Sequence, residues 1–154
     1  MKSAAQDAVK SYRRKCDYLE IRLHTEKSTS LSLATKEVDS IKEKLDSGGC
    51  VRVLKNGAWG FSSFTNPLSL KRAAEDAFQM ALAVGGGDGK LVPVEPVTAT
   101  YNVEILNDPF HIPLGRKMDL LWSYNERILS GTGPTWNSRV SYFDSVIDLF
   151  YLNS

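Results

Sequence analysis

The sequence has little of what most catalytic and metal-binding sites require. Its 154 residues include two cysteines, Cys16 and Cys50, and two histidines, His24 and His111. Neither histidine begins the His-Glu pair of a zinc-hydrolase helix, because the local sequences are HTE and HIP. We expect the cysteines to be small core or boundary residues and the histidines to be packed or solvated. The residues alone therefore predict no catalytic residue and no metal ligand.

Charge and long apolar runs are also scarce. The net charge of +1 argues against nucleic acid as a partner, because phosphate binding needs a basic surplus. No apolar run approaches the roughly 20 residues of a membrane span, and the N-terminus shows no apolar core of signal-peptide length. With so few cysteines, these features predict a cytoplasmic protein without a membrane partner. The length predicts a single domain over residues 1–154.

The sequence does contain stretches in which apolar and polar residues alternate. The segment DYLEIRLHTE places Leu19, Ile21 and Leu23 on one face, as in a half-buried strand. STSLSLAT predicts a second strand, after a reversal near residues 27–28. Residues 35–45 fit either a helix or a strand with one bulge, and SGG at 47–49 predicts a turn. The closing segment WNSRVSYFDSVIDLFYLNS predicts two more short strands, with a hairpin near residues 144–145.

The stretch CVRVLKNGAWGFSSF predicts a tight hairpin. Asn56 and Gly57 suit a type I′ turn, in which both central residues need positive φ. The resulting register pairs residue 55 with 58 and residue 54 with 59. One face then carries Leu54, Trp59 and Phe61, which are the candidate interface or substrate-facing residues. The opposite face carries Val51, Val53 and Gly60.

Helical patterns lie on both sides of the hairpin. Residues 3–15 predict a short helix, and Asn66-Pro67 caps a longer helix with an alanine-rich apolar stripe over residues 70–81. Residues 114–129 predict a second long helix. Between the long helices, Pro93 and Pro96 exclude a central strand, so we expect an edge or a surface-crossing arm at 91–106. The strands group together, which predicts an α+β fold: a mainly antiparallel sheet with two long helices and a short N-terminal helix packed on it.

These segments resemble the N-terminal region of the TldD/PmbA proteins. The order YLEIRL, STSLSL, GGCVRVLKNGAWGFSS and a capped helix is similar throughout. NDPFHIPLGRKMDLL resembles that family's D-P-F-x-x-P-L-x-x-K segment, here with Lys117 last, and the terminal LNS resembles the start of its N-S-x-G segment. One departure is Lys36, which stands where the family usually has glycine in the turn after the second strand. The resemblance favours the strand interpretation of residues 35–45.

The resemblance implies a non-catalytic N-terminal domain of a zinc metallopeptidase. The zinc and its H-E-x-x-x-H helix are expected in a C-terminal domain that this chain lacks, so we expect the chain alone to be inactive. The implied partners are an identical subunit or a TldD/PmbA-type paralogue, and unfolded peptide substrates. Two alternatives stay open: a stand-alone peptide- or protein-binding module, and an independent enzyme using Cys50 or His111. Likewise, the face with Trp59 either looks towards a partner or is covered by this chain.

Overall fold

A computed structural model describes residues 2–131, 133 and 137–154 of the protein. Seven helices and strands form in it, together with two short 3-10 helices at Pro67–Ser69 and Pro109–His111. In chain order they are α1 (Lys2–Tyr12), β1 (Tyr18–Ala34), β2 (Glu37–Lys55), β3 (Ala58–Phe64), α2 (Leu70–Val84), α3 (Leu114–Leu129) and β4 (Arg139–Asn153).

The four strands form one antiparallel sheet in the order β3-β2-β1-β4. This arrangement, with two long helices and a short N-terminal helix, confirms the predicted α+β fold. Its residues divide into two compact units, and the long strands β1, β2 and β4 each contribute to both.

The first unit comprises Met1–Glu26, Asp46–Val97 and Ile147–Ser154. Its core lies between the sheet and helices α1 and α2. The predicted alanine-rich stripe of α2 is buried there, against strand residues that include Val51 and Val53. Gly60 permits this close packing, because a Cβ atom at that position would overlap the carbonyl oxygen of Ala77. The face carrying Val51, Val53 and Gly60 is therefore the face that α2 covers.

The second unit comprises Lys27–Leu45 and Thr98–Val146. Its core is smaller, with Leu121 of α3 packed against Leu31 and Leu33 of β1. Asn125 of α3 is also buried, and its Nδ2 donates to the carbonyl oxygen of Thr35 at 2.6 Å. Helix α3 is therefore held to the start of the β1–β2 turn by a side-chain hydrogen bond as well as by apolar contacts.

The predicted hairpin is confirmed in its turn and in its register. Asn56 and Gly57 have φ values of 51° and 77°, so both adopt the left-handed conformation of a type I′ turn. Lys55 pairs with Ala58 and Leu54 with Trp59. The turn is supported by neighbouring segments: the Asn56 N–H donates to Asp17 Oδ2 at 2.7 Å, and residues 87 and 89 donate to the carbonyls of 56 and 57.

The predicted reversal near residues 27–28 is wrong, because β1 runs unbroken from Tyr18 to Ala34. The apolar residues of both predicted strands have odd numbers, and Thr29 continues the series as a buried residue. A side-chain period of two that keeps its phase along this 17-residue strand is what one continuous strand produces. The turn that joins β1 to β2 lies instead at residues 35–36. Its positive φ, of 56°, is on Thr35 and not on Lys36. Residues 37–45 are strand, as the resemblance favoured.

Two further local predictions are wrong. Residues 47–49 continue β2 and form no turn. Gly48 and Gly49 are there for space, since a Cβ atom at either position would collide with Phe64, and at Gly49 also with the carbonyl oxygen of Arg22. Likewise β4 passes through Asp144 and Ser145 without reversing, since it is one strand from Arg139 to Asn153. Trp136, the first residue of that predicted segment, lies outside the described residues.

Residues 91–106, the predicted arm, have no regular secondary structure. This agrees with the prediction of a surface-crossing segment. Six of its apolar side chains are between 79% and 88% exposed: Val92, Val94, Val97, Tyr101, Val103 and Leu106. Among the described residues, no helix combines the length and the apolar character that a bilayer crossing requires.

Candidate functional site

The hairpin places the three predicted interface residues on the sheet face opposite α2, but at different depths. Leu54 is only 3% exposed, and a Cβ atom on Gly89 would lie 3.4 Å from its Cδ1. The connector after α2 therefore passes over Leu54. Trp59 is half-buried and Phe61 is 50% exposed. Of the three predicted interface residues, Trp59 and Phe61 are therefore the accessible ones.

A buried carboxylate lies at the centre of the same face. The side chain of Glu20 is 7% exposed, and its Oε1 accepts a hydrogen bond from Arg52 Nη1 at 3.1 Å. Its Oε2 accepts from the hydroxyls of Tyr18, at 2.9 Å, and Tyr151, at 3.1 Å. Arg22 Nη2 stands 3.7 Å from Oε1. The Glu20 cluster, as we call these five residues, joins β1, β2 and β4 within the first unit.

Each arginine of the Glu20 cluster is also placed over an aromatic ring. The guanidinium carbon of Arg52 lies 4.4 Å from the ring centroid of Trp59, and that of Arg22 lies 5.5 Å from the ring of Tyr151. Trp59 in turn meets Tyr18 edge-on, with 6.0 Å between ring centroids. Contacts of this kind restrict the arginine rotamers, so both guanidiniums are held in fixed positions on the surface.

The Glu20 cluster carries more positive than negative charge. Two guanidiniums surround one carboxylate, which leaves a net positive charge among these groups. Burial, together with the hydrogen bond to Tyr151, raises the pKa of Tyr18. Tyr18 therefore stays a neutral donor to Glu20 at physiological pH. An arrangement with fixed, half-exposed guanidiniums and a neighbouring apolar surface is suited to binding an anionic group.

Sequence reasoning identified Trp59 and Phe61, which lie beside the Glu20 cluster, but it named none of the five cluster residues as site residues. Glu20 and Arg22 do have a signal in the sequence, a period of two: in YLEIRL the polar residues occupy one face of the strand. Tyr151 carried no local signal, because its position depends on β4 lying beside β1.

The second unit contains a different buried charge pair. Lys117 Nζ donates to Asp144 Oδ2 at 2.6 Å and lies 3.4 Å from Thr29 Oγ1. The side chains of Lys117 and Asp144 are 5% and 10% exposed. The rings of Phe110 and Tyr142 lie near the ammonium, at 5.5 and 5.6 Å. Because the ammonium is covered on several sides, a ligand has little access to it. The pair instead joins α3 to β4.

The described residues do not fit the zinc that the resemblance implies. His24 Nε2 lies 3.9 Å from Glu26, and His111 Nδ1 lies 3.1 Å from Asp108. No group of three or more possible ligands occurs among the residues that the structure describes. Burial raises the pKa of both free thiols, Cys16 and Cys50, and a raised thiol pKa disfavours the nucleophilic thiolate.

Comparison with known proteins shows what the chain is similar to. Residues 19–81 match domain 1 of the PmbA/TldA metallopeptidases. The chain is 31% identical, over 94% of its length, to a metalloprotease of Synechocystis sp., and it covers 32% of that protein. A metalloprotease of Methanothermobacter thermautotrophicus is 27% identical over 90% of the chain, which covers 30% of that protein. The chain thus spans about a third of the length of the curated relatives it matches.

Solved structures show the same fold. TldE from Thermococcus kodakarensis matches with a TM-score of 0.75 at 16% identity, over 98% of this chain and 35% of that one. A Bacteroides thetaiotaomicron protein described as a candidate modulator of DNA gyrase matches with a TM-score of 0.82 at 15% identity, over 99% of this chain and 36% of that one. These findings confirm the predicted resemblance to the TldD/PmbA metallopeptidases: residues 19–81 are similar to the family's domain 1, and the chain shares the fold of the solved structures.

Proposed function

We propose that this chain is the non-catalytic N-terminal domain of a TldD/PmbA-type zinc metallopeptidase of the cytoplasm, and that it contributes to dimer assembly and to the cavity that admits unfolded peptides. The observation that carries the proposal is the alignment of nearly the whole chain with about a third of a metalloprotease. In this proposal the zinc, the water that it activates and the general base lie in the remaining part of the protein. The domain supplies surfaces, and the partner is an identical subunit or a paralogue. Its free thiols are consistent with a reducing compartment.

The arm supports a role in assembly. Its six apolar side chains are between 79% and 88% exposed, and they follow one another along a single segment instead of being scattered singly over the surface. Burying such a segment against a second subunit removes apolar surface from water, which is the main driving force of association. Its prolines at 93 and 96 also limit pairing of the arm with a sheet edge, so we propose that it associates through side chains.

The experiment compares the native gene product with arm variants by sedimentation. We expect Val94→Asp combined with Val97→Asp to weaken the dimer at least about tenfold, because charge is introduced where apolar surface would be buried. Leu68→Asp is the matched control, since Leu68 is equally exposed but lies outside the arm. Unchanged association in the arm variant would contradict the assembly role. Loss of casein cleavage only in the dissociated variant would link assembly to proteolysis.

A further inference from the structure

We propose that Arg22 and Arg52 form a binding site for the C-terminal carboxylate of a peptide, with Trp59 and Phe61 contacting its last side chain. The inference rests on the proposed function, in which unfolded peptides are the substrates. A free C-terminal carboxylate is common to peptides of every sequence, so a site for it suits sequence-diverse substrates. The site lies wholly within the first unit.

The donors for such a carboxylate are present and accessible. The side chains of Arg22 and Arg52 are 53% and 42% exposed, so each guanidinium meets solvent. Arg52 commits Nη1 to Glu20, and Arg22 approaches the same oxygen at 3.7 Å. Since a guanidinium carries five N–H donors, both arginines retain donors for a ligand. Their combined charge exceeds that of Glu20, so the site attracts an anion.

The geometry is prepared before a ligand arrives. Glu20 is fixed by two tyrosine hydroxyls, and each arginine is fixed by Glu20 on one side and by an aromatic ring on the other. Arginine normally loses side-chain entropy when it binds a carboxylate, and an arginine that is already held loses less. The buried carboxylate of Glu20 therefore acts as a positioning group for the two arginines.

The apolar part of the site follows from the strand register. Phe61 lies directly opposite Arg52 in the β2–β3 pair, and half of its side chain is exposed. Cross-strand neighbours stand close enough for one ligand to contact both. A carboxylate held by the arginines would thus place the adjoining side chain beside Trp59 and Phe61. An apolar C-terminal residue fits this surface best.

A purely structural role would also use these contacts, because the Glu20 cluster joins three strands. The test must therefore measure binding separately from stability. We would titrate the ¹⁵N-labelled protein with N-acetyl-Ala-Ala-Leu as the free acid and follow the indole N–H resonance of Trp59. The same tripeptide as its C-terminal amide is the first comparison. The amide of N-acetyl-Ala-Glu-Leu, which carries its carboxylate on a side chain, is the second.

We expect the free acid to shift the Trp59 resonance with saturation and both amides to bind at least about tenfold more weakly, the loss expected when charged hydrogen bonds are removed. Arg22→Gln and Arg52→Gln should each reduce the affinity for the acid, while Arg52→Lys should retain part of it. Arg72→Gln is the control, because Arg72 is exposed on α2 and pairs with Asp76 across one helical turn. It removes the same charge and should leave binding unchanged. Thermal unfolding of each variant verifies that it is folded.

Four results would overturn the site: no shift with the free acid, equal binding of acid and amide, equal binding of the peptide with an internal glutamate, or an equal loss in the Arg72→Gln control. Equal binding of the peptide with an internal glutamate would show a site for acidic side chains instead. Equal binding of acid and amide would refute the carboxylate site. It would not contradict the proposed role of the domain in admitting unfolded peptides. Conversely, selective acid binding together with a native gene product that cleaves no peptide would retain this site and refute the proposed function.

Discussion

Lys117 of α3 and Asp144 of β4 form a buried ion pair, with Nζ 2.6 Å from Oδ2. Thr29 of β1 lies beside the ammonium at 3.4 Å. A charge removed from water is tolerated only when its partner stays in place, so this pair fixes one arrangement of α3 on the strands of the second unit. Lys117 is also the final residue of the segment that resembles D-P-F-x-x-P-L-x-x-K. The ion pair therefore gives one residue of that segment a structural role.

Replacing Lys117 with methionine should destabilise the protein by about 3–5 kcal/mol, because Asp144 is then left buried without its counter-charge. The measurement is the free energy of unfolding in urea. The double variant Lys117→Met with Asp144→Leu removes both charges and should recover most of the loss. A single variant as stable as the wild type would contradict the structural role of the pair.

The same pair should make stability sensitive to acid. Burial alone would raise the pKa of Asp144, but the hydrogen bonds from Lys117 and Tyr142 outweigh it and lower the pKa below the ordinary 3.8. The contribution is therefore fully present above about pH 4 and is lost as the pH falls through the lowered folded-state pKa. Between pH 5 and pH 2, Asp144→Asn should lose less stability than the wild type. Parallel pH profiles for the two proteins would exclude this linkage.

Gly60 should not tolerate a side chain. A Cβ atom there would overlap the carbonyl oxygen of Ala77, which is backbone and can move only with the helix. Gly60→Ala should therefore cost about 1–3 kcal/mol in unfolding free energy. Gly115→Ala is the matched control: Gly115 lies in α3 with open space around it, so alanine should be neutral or stabilising by up to about 1 kcal/mol. Equal effects at both glycines would refute the close packing of α2.

Thr35 is a β-branched residue with φ at 56°, a conformation that costs such residues energy. Its backbone is held by Asn125, which donates to its carbonyl, and by Ser138, whose carbonyl accepts from its N–H at 2.7 Å. Thr35→Gly keeps both backbone bonds, loses the exposed hydrogen bond from Thr35 Oγ1 to Asn137 Oδ1 at 3.0 Å, and relieves the strain, so the free energy of unfolding should rise by about 1 kcal/mol. Ala34→Gly, one residue earlier in regular strand, should instead be destabilising. A less stable Thr35→Gly protein would argue against a left-handed residue at this position.

The elements that sequence reasoning predicted correctly are those specified by neighbours along the chain. The Asn56-Gly57 turn fixes its own register, and the alanine stripe of α2 repeats with the helical period. The errors arose where a glycine or a polar stretch suggested a turn. At residues 48–49 glycine is required because a side chain there would collide with Phe64, which lies across the β2–β3 pair. At residues 27–28 the unbroken phase of the odd-numbered residues was the better guide.

The candidate site was harder to predict than the fold because its members come from separate strands. Arg52 and Trp59 share a hairpin, and their proximity follows from the register. Glu20 meets Tyr151 only because the last strand returns to lie beside the first, a pairing that no local pattern specifies. A buried Glu flanked by arginine and tyrosine in alternate positions is nonetheless a signal that can be sought in other sequences.

The central claim is that this domain works as part of a larger zinc metallopeptidase. The most direct test is the intact mass of the native polypeptide in its source cell, measured together with its zinc content. We predict a mass well above the 17.1 kDa of this chain, with zinc bound by the purified protein. A native polypeptide of 17.1 kDa without zinc would contradict the claim and would favour a stand-alone binding module.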